Sequence, residues 1–203
     1  MTEFKLIEKG RALKEAKKAI IILHGRGGTA NNIITLGDEF CDERFYIVAP
    51  QAPGNSWYPN SFLVPAGQNE PWLSQSVEFV KHLISKAADS VGNENVYIMG
   101  FSQGACLAYE VTARNAGIYG GIIGFSGGLI GETVNTSNYK GDFKKTKVFI
   151  GSSDVDPHIP LERSIITKEI MEGLGAEVLF HIYKNMPHTI TDEEIETVRR
   201  EFF

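Results

Sequence analysis

The 203-residue chain has only two cysteines, Cys41 and Cys106, and they lie far apart in the sequence. Their spacing matches neither a metal-binding pair nor the dense cysteine framework of a small secreted domain. We therefore expect two free, buried thiols, which behave as small apolar side chains in a reducing environment. This usage of cysteine predicts a cytoplasmic protein.

The chain also lacks a basic stripe and a long apolar run. Its formal net charge is −5, and the lysine pairs Lys17-Lys18 and Lys144-Lys145 stand alone, so nucleic-acid binding is not expected. The apolar run AIIIL, residues 19–23, suits a buried strand and is far too short to cross a membrane. The N-terminal segment is charged throughout and has no signal-peptide core, so no membrane insertion is expected.

Short apolar runs alternate with longer segments of helical periodicity along the chain. The predicted strands are residues 19–23, 46–49, 96–99, 121–125, 148–150 and 178–183, with residues 4–8 as an antiparallel edge strand. The predicted helices are residues 75–90, 103–115, 161–174 and 192–202. This alternation predicts an α/β fold with a mostly parallel central sheet and helices on both faces. The length fits one domain covering residues 1–203.

One pentapeptide, Gly100-Phe101-Ser102-Gln103-Gly104, lies between a predicted strand and a predicted helix. A sharp strand-to-helix turn forces the residue between them into a strained backbone conformation, and glycine on either side leaves room for it. The serine then projects from the carboxyl edge of the sheet, near the positive end of the helix. This context favours a nucleophilic Ser102 over a simple glycine-flanked turn.

A nucleophilic serine needs a base, which in this architecture comes last along the chain. Three histidines follow Ser102. His158 lies inside the segment that should supply the acid. His181 falls within a predicted strand, where a histidine usually has a structural role. His188 stands between the last strand and the last helix, in a loop that opens onto the same sheet edge, so His188 is the predicted base.

The acid should follow the strand at residues 148–150, within GSSDVDPHIP. Both Asp154 and Asp156 satisfy the order serine, acid, histidine. The spacing from Asp156 to Pro160, with a helix just beyond, favours Asp156, and Asp154 is the alternative acid. Whichever aspartate is not the acid is expected to cap the loop.

An oxyanion hole needs two backbone donors. The residue after the nucleophile supplies one, the N–H of Gln103, and a loop after an early strand supplies the other. The glycine-rich loop HGRGG, residues 24–28, follows such a strand, and the N–H of Arg26 is the predicted second donor. A phosphate-binding loop is the alternative interpretation, but both of its usual glycine patterns are missing.

The segment at residues 51–71 is rich in proline and aromatic residues and is predicted to be an ordered loop beside an apolar pocket. The predicted substrate-binding residues are Trp57, Tyr58 and Phe62 from this loop, together with Leu129. The same aromatic loop, if exposed, could form a homodimer contact. Only about twenty residues separate the strands at 121–125 and 148–150, too few for a separate cap domain.

Four motifs in this order, LHGRGG, GFSQGA, DPHIP and MPH, resemble the phospholipase/carboxylesterase family of α/β-hydrolases. Acyl-protein thioesterases, lysophospholipases and small bacterial carboxylesterases belong to that family. The resemblance runs from about residue 20 to the C-terminus. It implies the α/β-hydrolase fold and a serine hydrolase without metal or organic cofactor, with Ser102 and His188 in the triad and backbone donors from Arg26 and Gln103. Ser56-Trp57 matches the family's SW loop and would border the acyl pocket.

Two departures from the family pattern are visible. GSSDVDPHIP is two residues longer than the commoner G-x-x-D-P-x-V-P, and Arg26-Gly27-Gly28 replaces the L-G-D of acyl-protein thioesterases. The first departure leaves both Asp154 and Asp156 open as the acid. The second leads us to expect hydrolysis of small-molecule or lipid-like acyl esters through an acyl-enzyme intermediate. A thioesterase acting on acylated proteins or small thioesters is the alternative. A non-catalytic binding protein would typically have lost one member of the triad.

Overall fold

The structure is a computed structural model that describes residues 4–203. At its centre lies a seven-stranded sheet with the order β1-β3-β2-β4-β5-β6-β7, in which only β1 is antiparallel to its neighbour. The strands are β1 (Lys5–Gly10), β2 (Lys18–Leu23), β3 (Phe45–Gln51), β4 (Val96–Phe101), β5 (Gly121–Phe125), β6 (Lys147–Ser153) and β7 (Glu177–Tyr183).

Helices cover both faces of the sheet. They are α1 (Ala30–Ile33), α2 (Trp72–Val91), α3 (Gln103–Arg114), α4 (Leu161–Gly173) and α5 (Asp192–Phe202), joined by loops with short 3₁₀ turns. Successive strand residues point to opposite faces. Accordingly Ile21 packs with the core beneath α2 and α3, whereas Ile20 packs with the core beneath α1 and α5. No helix in the described part of the chain is long and apolar enough to cross a membrane.

The predicted α/β architecture is confirmed, including the antiparallel edge strand, which pairs with β3 as β1. The boundaries of the predicted elements agree with the structure to within two residues, except at two places where an element extends three residues further. Helix α2 begins at Trp72, directly after Pro71, before the apolar periodicity becomes visible. Strand β6 continues through Gly151, Ser152 and Ser153, which carry no apolar signal but pair with β7 and are buried.

The register of the sheet brings several loops to one edge. Leu23 pairs with Gly100, Phe101 pairs with Phe125, and Phe125 pairs with Gly151. The carboxyl ends of β2, β4, β5 and β6 therefore lie side by side. Loops that leave neighbouring parallel strands at this edge are where α/β sheets build their sites.

Glu194, in the first turn of α5, is a buried carboxylate close to this edge. Its Oε2 accepts hydrogen bonds from the Thr191 N–H (2.9 Å) and hydroxyl (3.2 Å), while the Glu194 N–H donates to Thr191 Oγ1 (3.4 Å). Its Oε1 has no partner in residues 4–203. Burial raises the pKa of Glu194 from its ordinary 4.5 to about 7, although the bonds from Thr191 act in the opposite direction.

This pKa makes a prediction for stability. A carboxyl whose pKa is higher in the folded state favours folding while it is protonated, so its contribution is full below about pH 4.5 and is lost as the pH rises through 7. Ionisation of Glu194 at high pH should lower the free energy of unfolding by on the order of 3 kcal/mol. We expect Glu194→Gln, which cannot ionise, to remove most of this dependence when urea unfolding is measured at pH 5 and pH 8.

Glu193→Gln is the matched control, because Glu193 neighbours Glu194 in the first turn of α5 and is exposed. It should retain the loss of stability between pH 5 and pH 8. An undiminished loss in Glu194→Gln would contradict the assignment of that loss to Glu194.

Candidate active site

Ser102 is the single residue between β4 and α3, and its backbone is strained, with φ 54° and ψ −120°. A non-glycine residue in such a conformation costs roughly 1–3 kcal/mol. The flanking glycines allow the close approach around it. A Cβ at Gly104 would lie 2.2 Å from the Leu23 carbonyl oxygen, and one at Gly100 would lie 2.4 Å from the Gly104 backbone. The turn therefore requires glycine at both positions, as the sequence predicts.

Ser102 is the first member of a continuous hydrogen-bonded chain of three side chains. His188 Nε2 lies 2.8 Å from Ser102 Oγ, and His188 Nδ1 lies 2.7 Å from Asp156 Oδ2. Only 1% of the Asp156 side chain and 17% of the His188 side chain are exposed. Three residues separated by up to 86 positions in the sequence thus meet at the carboxyl edge of the sheet.

Asp156 is held in its ionised form. Burial by itself would raise the pKa of this carboxyl, but the hydrogen bond from His188 and those from the His158 and Ile159 N–H groups outweigh it, so the pKa lies below its usual value. The two N–H donors lie 2.8 and 3.0 Å from Oδ1. The carboxylate can therefore orient His188 and stabilise a positive charge on its ring.

The other candidate acid and bases lie elsewhere. Asp154 is exposed, and its Oδ1 accepts a hydrogen bond from the Asn185 N–H at 2.7 Å, which makes it a loop cap. His181 lies on β7, with its ring 6.1 Å from that of Phe149. His158 does approach the site, since its ring centroid is 4.8 Å from that of His188, but it makes no hydrogen bond to Ser102 within the described chain.

The two predicted oxyanion donors lie at the site. The N–H groups of Arg26 and Gln103 donate no hydrogen bond to any of residues 4–203, and both residues line the same cavity as Ser102. Gln103 begins α3, so its N–H is at the positive end of that helix. Two free backbone donors beside a serine hydroxyl can bind an oxygen that gains negative charge.

The side chains of these two residues have a separate role. Gln103 Oε1 accepts a hydrogen bond from the Trp57 N–H (3.1 Å), and Gln103 Nε2 donates to the Tyr58 carbonyl (2.8 Å). Arg26 Nη1 donates to the Pro59 carbonyl (2.8 Å). Together they fix residues 56–60 over the nucleophile. The sequence motifs point to the backbone of Arg26 and Gln103 and give no sign of this contact between distant loops.

The cavity above Ser102 has a volume of about 550 Å³. Tyr58 and Phe62 line it, as predicted. Trp57 and Leu129, which are 1% and 0% exposed, are not among the lining residues. The Trp57 indole N–H donates to the His24 carbonyl at 2.8 Å, which turns the ring into the core, and Leu129 packs in the core with α3. The structure therefore does not bring these two side chains to the cavity.

The lining also includes residues that the sequence prediction missed. They are Pro59, Asn60, Ser61, Cys106, His158 and Ile159. Several are polar, so the cavity is less apolar than the aromatic loop suggests. Between β5 and β6 the structure has only loops and a 3₁₀ turn at Thr136–Asn138. No group of three or more side chains that could hold a metal ion occurs among the described residues.

Comparison with known proteins gives one consistent result. A sequence profile of the family described as Phospholipase/Carboxylesterase matches residues 5–202. The chain is 27% identical to "Acyl-protein thioesterase 1" of Saccharomyces cerevisiae, with 91% of each chain covered. It is 30% identical to "Probable carboxylesterase SOBER1-like" of Arabidopsis thaliana, with 89% of this chain and 76% of the relative covered.

Solved structures agree with this result. A phospholipase/carboxylesterase from Dyadobacter fermentans superposes with a TM-score of 0.95 at 45% identity, covering 98% of this chain and 96% of the other. The Bacillus cereus carboxylesterase superposes with a TM-score of 0.78 at 18% identity, covering 98% and 93%. At that lower identity the likeness concerns the fold, which is that of the α/β-hydrolases.

Proposed function

The chain belongs to the phospholipase/carboxylesterase family of α/β-hydrolases and is a serine hydrolase, and we propose that it cleaves carboxylic esters with Ser102, His188 and Asp156 as its catalytic triad. The substrate class is a small or lipid-like acyl ester. The cavity above Ser102 offers about 550 Å³ for it.

The proposed reaction has two halves. His188 Nε2 takes the proton of Ser102 as Oγ attacks the ester carbonyl carbon, and the N–H groups of Arg26 and Gln103 bind the carbonyl oxygen as it becomes negative. When the resulting tetrahedral intermediate collapses, the bond between the carbonyl carbon and the alcohol oxygen breaks, and the alcohol leaves with the proton from His188. A water molecule then attacks the acyl-enzyme in the same way, releasing the carboxylic acid and restoring Ser102.

One observation carries this proposal: the hydrogen-bonded chain from Ser102 through His188 to Asp156, with distances of 2.8 and 2.7 Å. Every group sits at the distance that proton transfer requires. A binding protein derived from a hydrolase would be expected to have lost one of these groups. Because all three hydrogen-bonded side chains are present, the site favours an enzyme over a binding protein.

Thioester hydrolysis is the second candidate, because several relatives are named acyl-protein thioesterase. The same triad can open an oxygen ester or a thioester. This chain has Arg26-Gly27-Gly28 in the loop beside the nucleophile, where those enzymes have L-G-D by the family pattern. We therefore propose oxygen esters as the main substrates.

The test uses a chromogenic ester, its thioester and a covalent probe. We expect hydrolysis of 4-nitrophenyl butyrate, slower turnover of the matching thioester at equal acyl length, and stoichiometric labelling of Ser102 by a fluorophosphonate, located by peptide mass spectrometry. Labelling at another residue would overturn the assignment of the nucleophile. A thioester rate above that of the oxygen ester would instead support the second candidate.

We propose a cytoplasmic location, which the unpaired state of Cys41 and Cys106 supports. The homodimer predicted from an exposed aromatic loop loses its premise, because Trp57, Tyr58 and Phe62 are at most 7% exposed. These rings are inside the protein and are not available for contact with a second protein chain, although Tyr58 and Phe62 line the internal cavity. A small acyl ester is therefore the proposed partner of this loop, through Tyr58 and Phe62.

A further inference from the structure

The cavity above Ser102 has an unbalanced charge. Arg26 lines it, and none of its lining residues is an aspartate or a glutamate. The chain as a whole carries a net charge of −5, so the positive charge at the cavity is opposite in sign to the net charge of the protein. The carboxylate of Asp156 lies behind His188, with only 1% of its side chain exposed.

Arg26 has neutral partners only. Its Nη1 donates to Ser56 Oγ (3.0 Å) and to the Pro59 carbonyl (2.8 Å), and its Nη2 donates to the Asn60 carbonyl (2.6 Å). No carboxylate oxygen among residues 4–203 lies within 4.0 Å of its guanidinium nitrogens. These bonds position the guanidinium of this exposed residue, which also lies 5.9 Å from the centre of the Tyr58 ring, but none of them brings a negative charge to it. A cation without a carboxylate partner attracts anions to the cavity that it lines together with Ser102.

A second donor faces the same space. His158 lines the cavity, and its ring nitrogens have no hydrogen-bond partner in the described chain, since the residue's only bond is made by its backbone N–H. Its ring centroid lies 4.8 Å from that of His188, which places it at the triad. The N-terminus of α3 adds partial positive charge at Ser102. The Arg26 guanidinium, the His158 ring and the N-terminus of α3 thus favour a negative ligand in the cavity.

We propose that the preferred substrate is an ester that also carries a free carboxylate, bound by the Arg26 guanidinium with His158 as an additional donor. This inference rests on the proposed ester hydrolysis at Ser102 and specifies its substrate. The carboxylate belongs to the acyl group or to the alcohol, and both arrangements place it beside the scissile bond. If Arg26 only clamps residues 56–60, charge on the substrate will not matter.

The experiment compares charged esters with neutral esters of the same size. On the acyl side, the 4-nitrophenyl half-ester of adipic acid is paired with its terminal primary amide. On the alcohol side, 3-carboxyphenyl butyrate is paired with 3-carbamoylphenyl butyrate. For at least one pair we expect kcat/KM of the carboxylate to exceed that of the amide by on the order of tenfold at low salt. The ratio should fall towards one in 0.5 M salt, which screens charges on a partly open cavity.

Variants identify the side chain responsible. Arg26→Gln should reduce the ratio to about twofold or less, whereas Arg26→Lys, which keeps the charge, should retain most of it. His158→Gln should have a smaller effect than Arg26→Gln. The ratio within one variant is the measured quantity, because a disturbed loop at residues 56–60 lowers the rates of acid and amide together and leaves their ratio unchanged.

The outcomes separate the two proposals. If the carboxylate ester is preferred over its amide only in the first pair, the carboxylate belongs to the acyl group. If the preference occurs only in the second pair, the carboxylate belongs to the alcohol. Equal rates on acid and amide in both pairs, or a ratio that persists in Arg26→Gln, would overturn the inference and leave ester hydrolysis intact. Failure to hydrolyse any of the four esters would overturn both.

Discussion

Replacing Ser102 with alanine is expected to lower kcat for 4-nitrophenyl butyrate by roughly 10⁴ to 10⁶. In the proposed mechanism the Ser102 hydroxyl is the nucleophile of the triad and forms the acyl-enzyme. Its Oγ lies 2.8 Å from His188 Nε2. The oxyanion donors would remain in the variant, so a small residual rate above that in buffer is expected. Initial rates at saturating substrate, measured with buffer blanks, give the comparison.

Ser126 offers a matched control. It follows β5 as Ser102 follows β4, its φ is 50° where that of Ser102 is 54°, and its buried hydroxyl has no partner in the described chain. The backbone contacts also correspond, since the Ser126 N–H donates to the Gly151 carbonyl and the Ser102 N–H donates to the Phe125 carbonyl. Ser126→Ala should stay within about twofold of wild type. Wild-type turnover by Ser102→Ala would refute the proposed mechanism.

Asp156→Asn is expected to lower kcat by on the order of 10⁴. The carboxylate accepts the Nδ1 proton of His188 at 2.7 Å, which leaves Nε2 free to take the proton of Ser102. An asparagine amide donates to Nδ1 instead and stabilises the wrong tautomer. It also cannot stabilise the protonated ring in the transition state. Asn fills the same volume and its oxygen can keep the bonds from the His158 and Ile159 N–H groups, so the rate should fall far more than thermal stability, which loses only what the ionised carboxylate contributes.

Asp154→Asn is the control in the same loop. Asp154 accepts a hydrogen bond from the Asn185 N–H at 2.7 Å and is exposed, so its amide can keep that contact through the side-chain oxygen. We expect kcat within a few-fold of wild type. A larger fall in Asp154→Asn than in Asp156→Asn would assign the acid to Asp154.

Much of this protein could be predicted from its sequence, because the signals were local. Apolar runs with helical segments between them predict the strand and helix order, which depends on spacing within each element. The glycines around Ser102 predict its strained turn. Gly100 makes room for the Gly104 backbone four residues on, whereas the reason for Gly104, the Leu23 carbonyl oxygen, appears only in the folded sheet. His188 follows from chain order, and it does lie 2.8 Å from Ser102 Oγ.

Other features depended on contacts between distant parts of the chain. Only the pairing of β6 with β7 shows that the strand runs through Ser153, so that Asp154 stands just past its end and Asp156 lies under His188. The buried polar residues 151–153 carry no periodic signal, because their place is set by a neighbouring strand. The sequence therefore allowed either Asp154 or Asp156 as the acid, whereas the structure places Asp156 beside the imidazole of His188.

The sequence by itself determined which segments form strands and helices, the place of the nucleophile turn and the order of the catalytic groups, since these follow from apolar periodicity, glycine placement and chain order. Tertiary structure alone decided which side chains face the cavity. Trp57 turns inward to the His24 carbonyl, and Arg26 meets only neutral oxygens. Orientation and charge balance are properties of the assembled loops, because each depends on atoms that the chain brings together only when it folds.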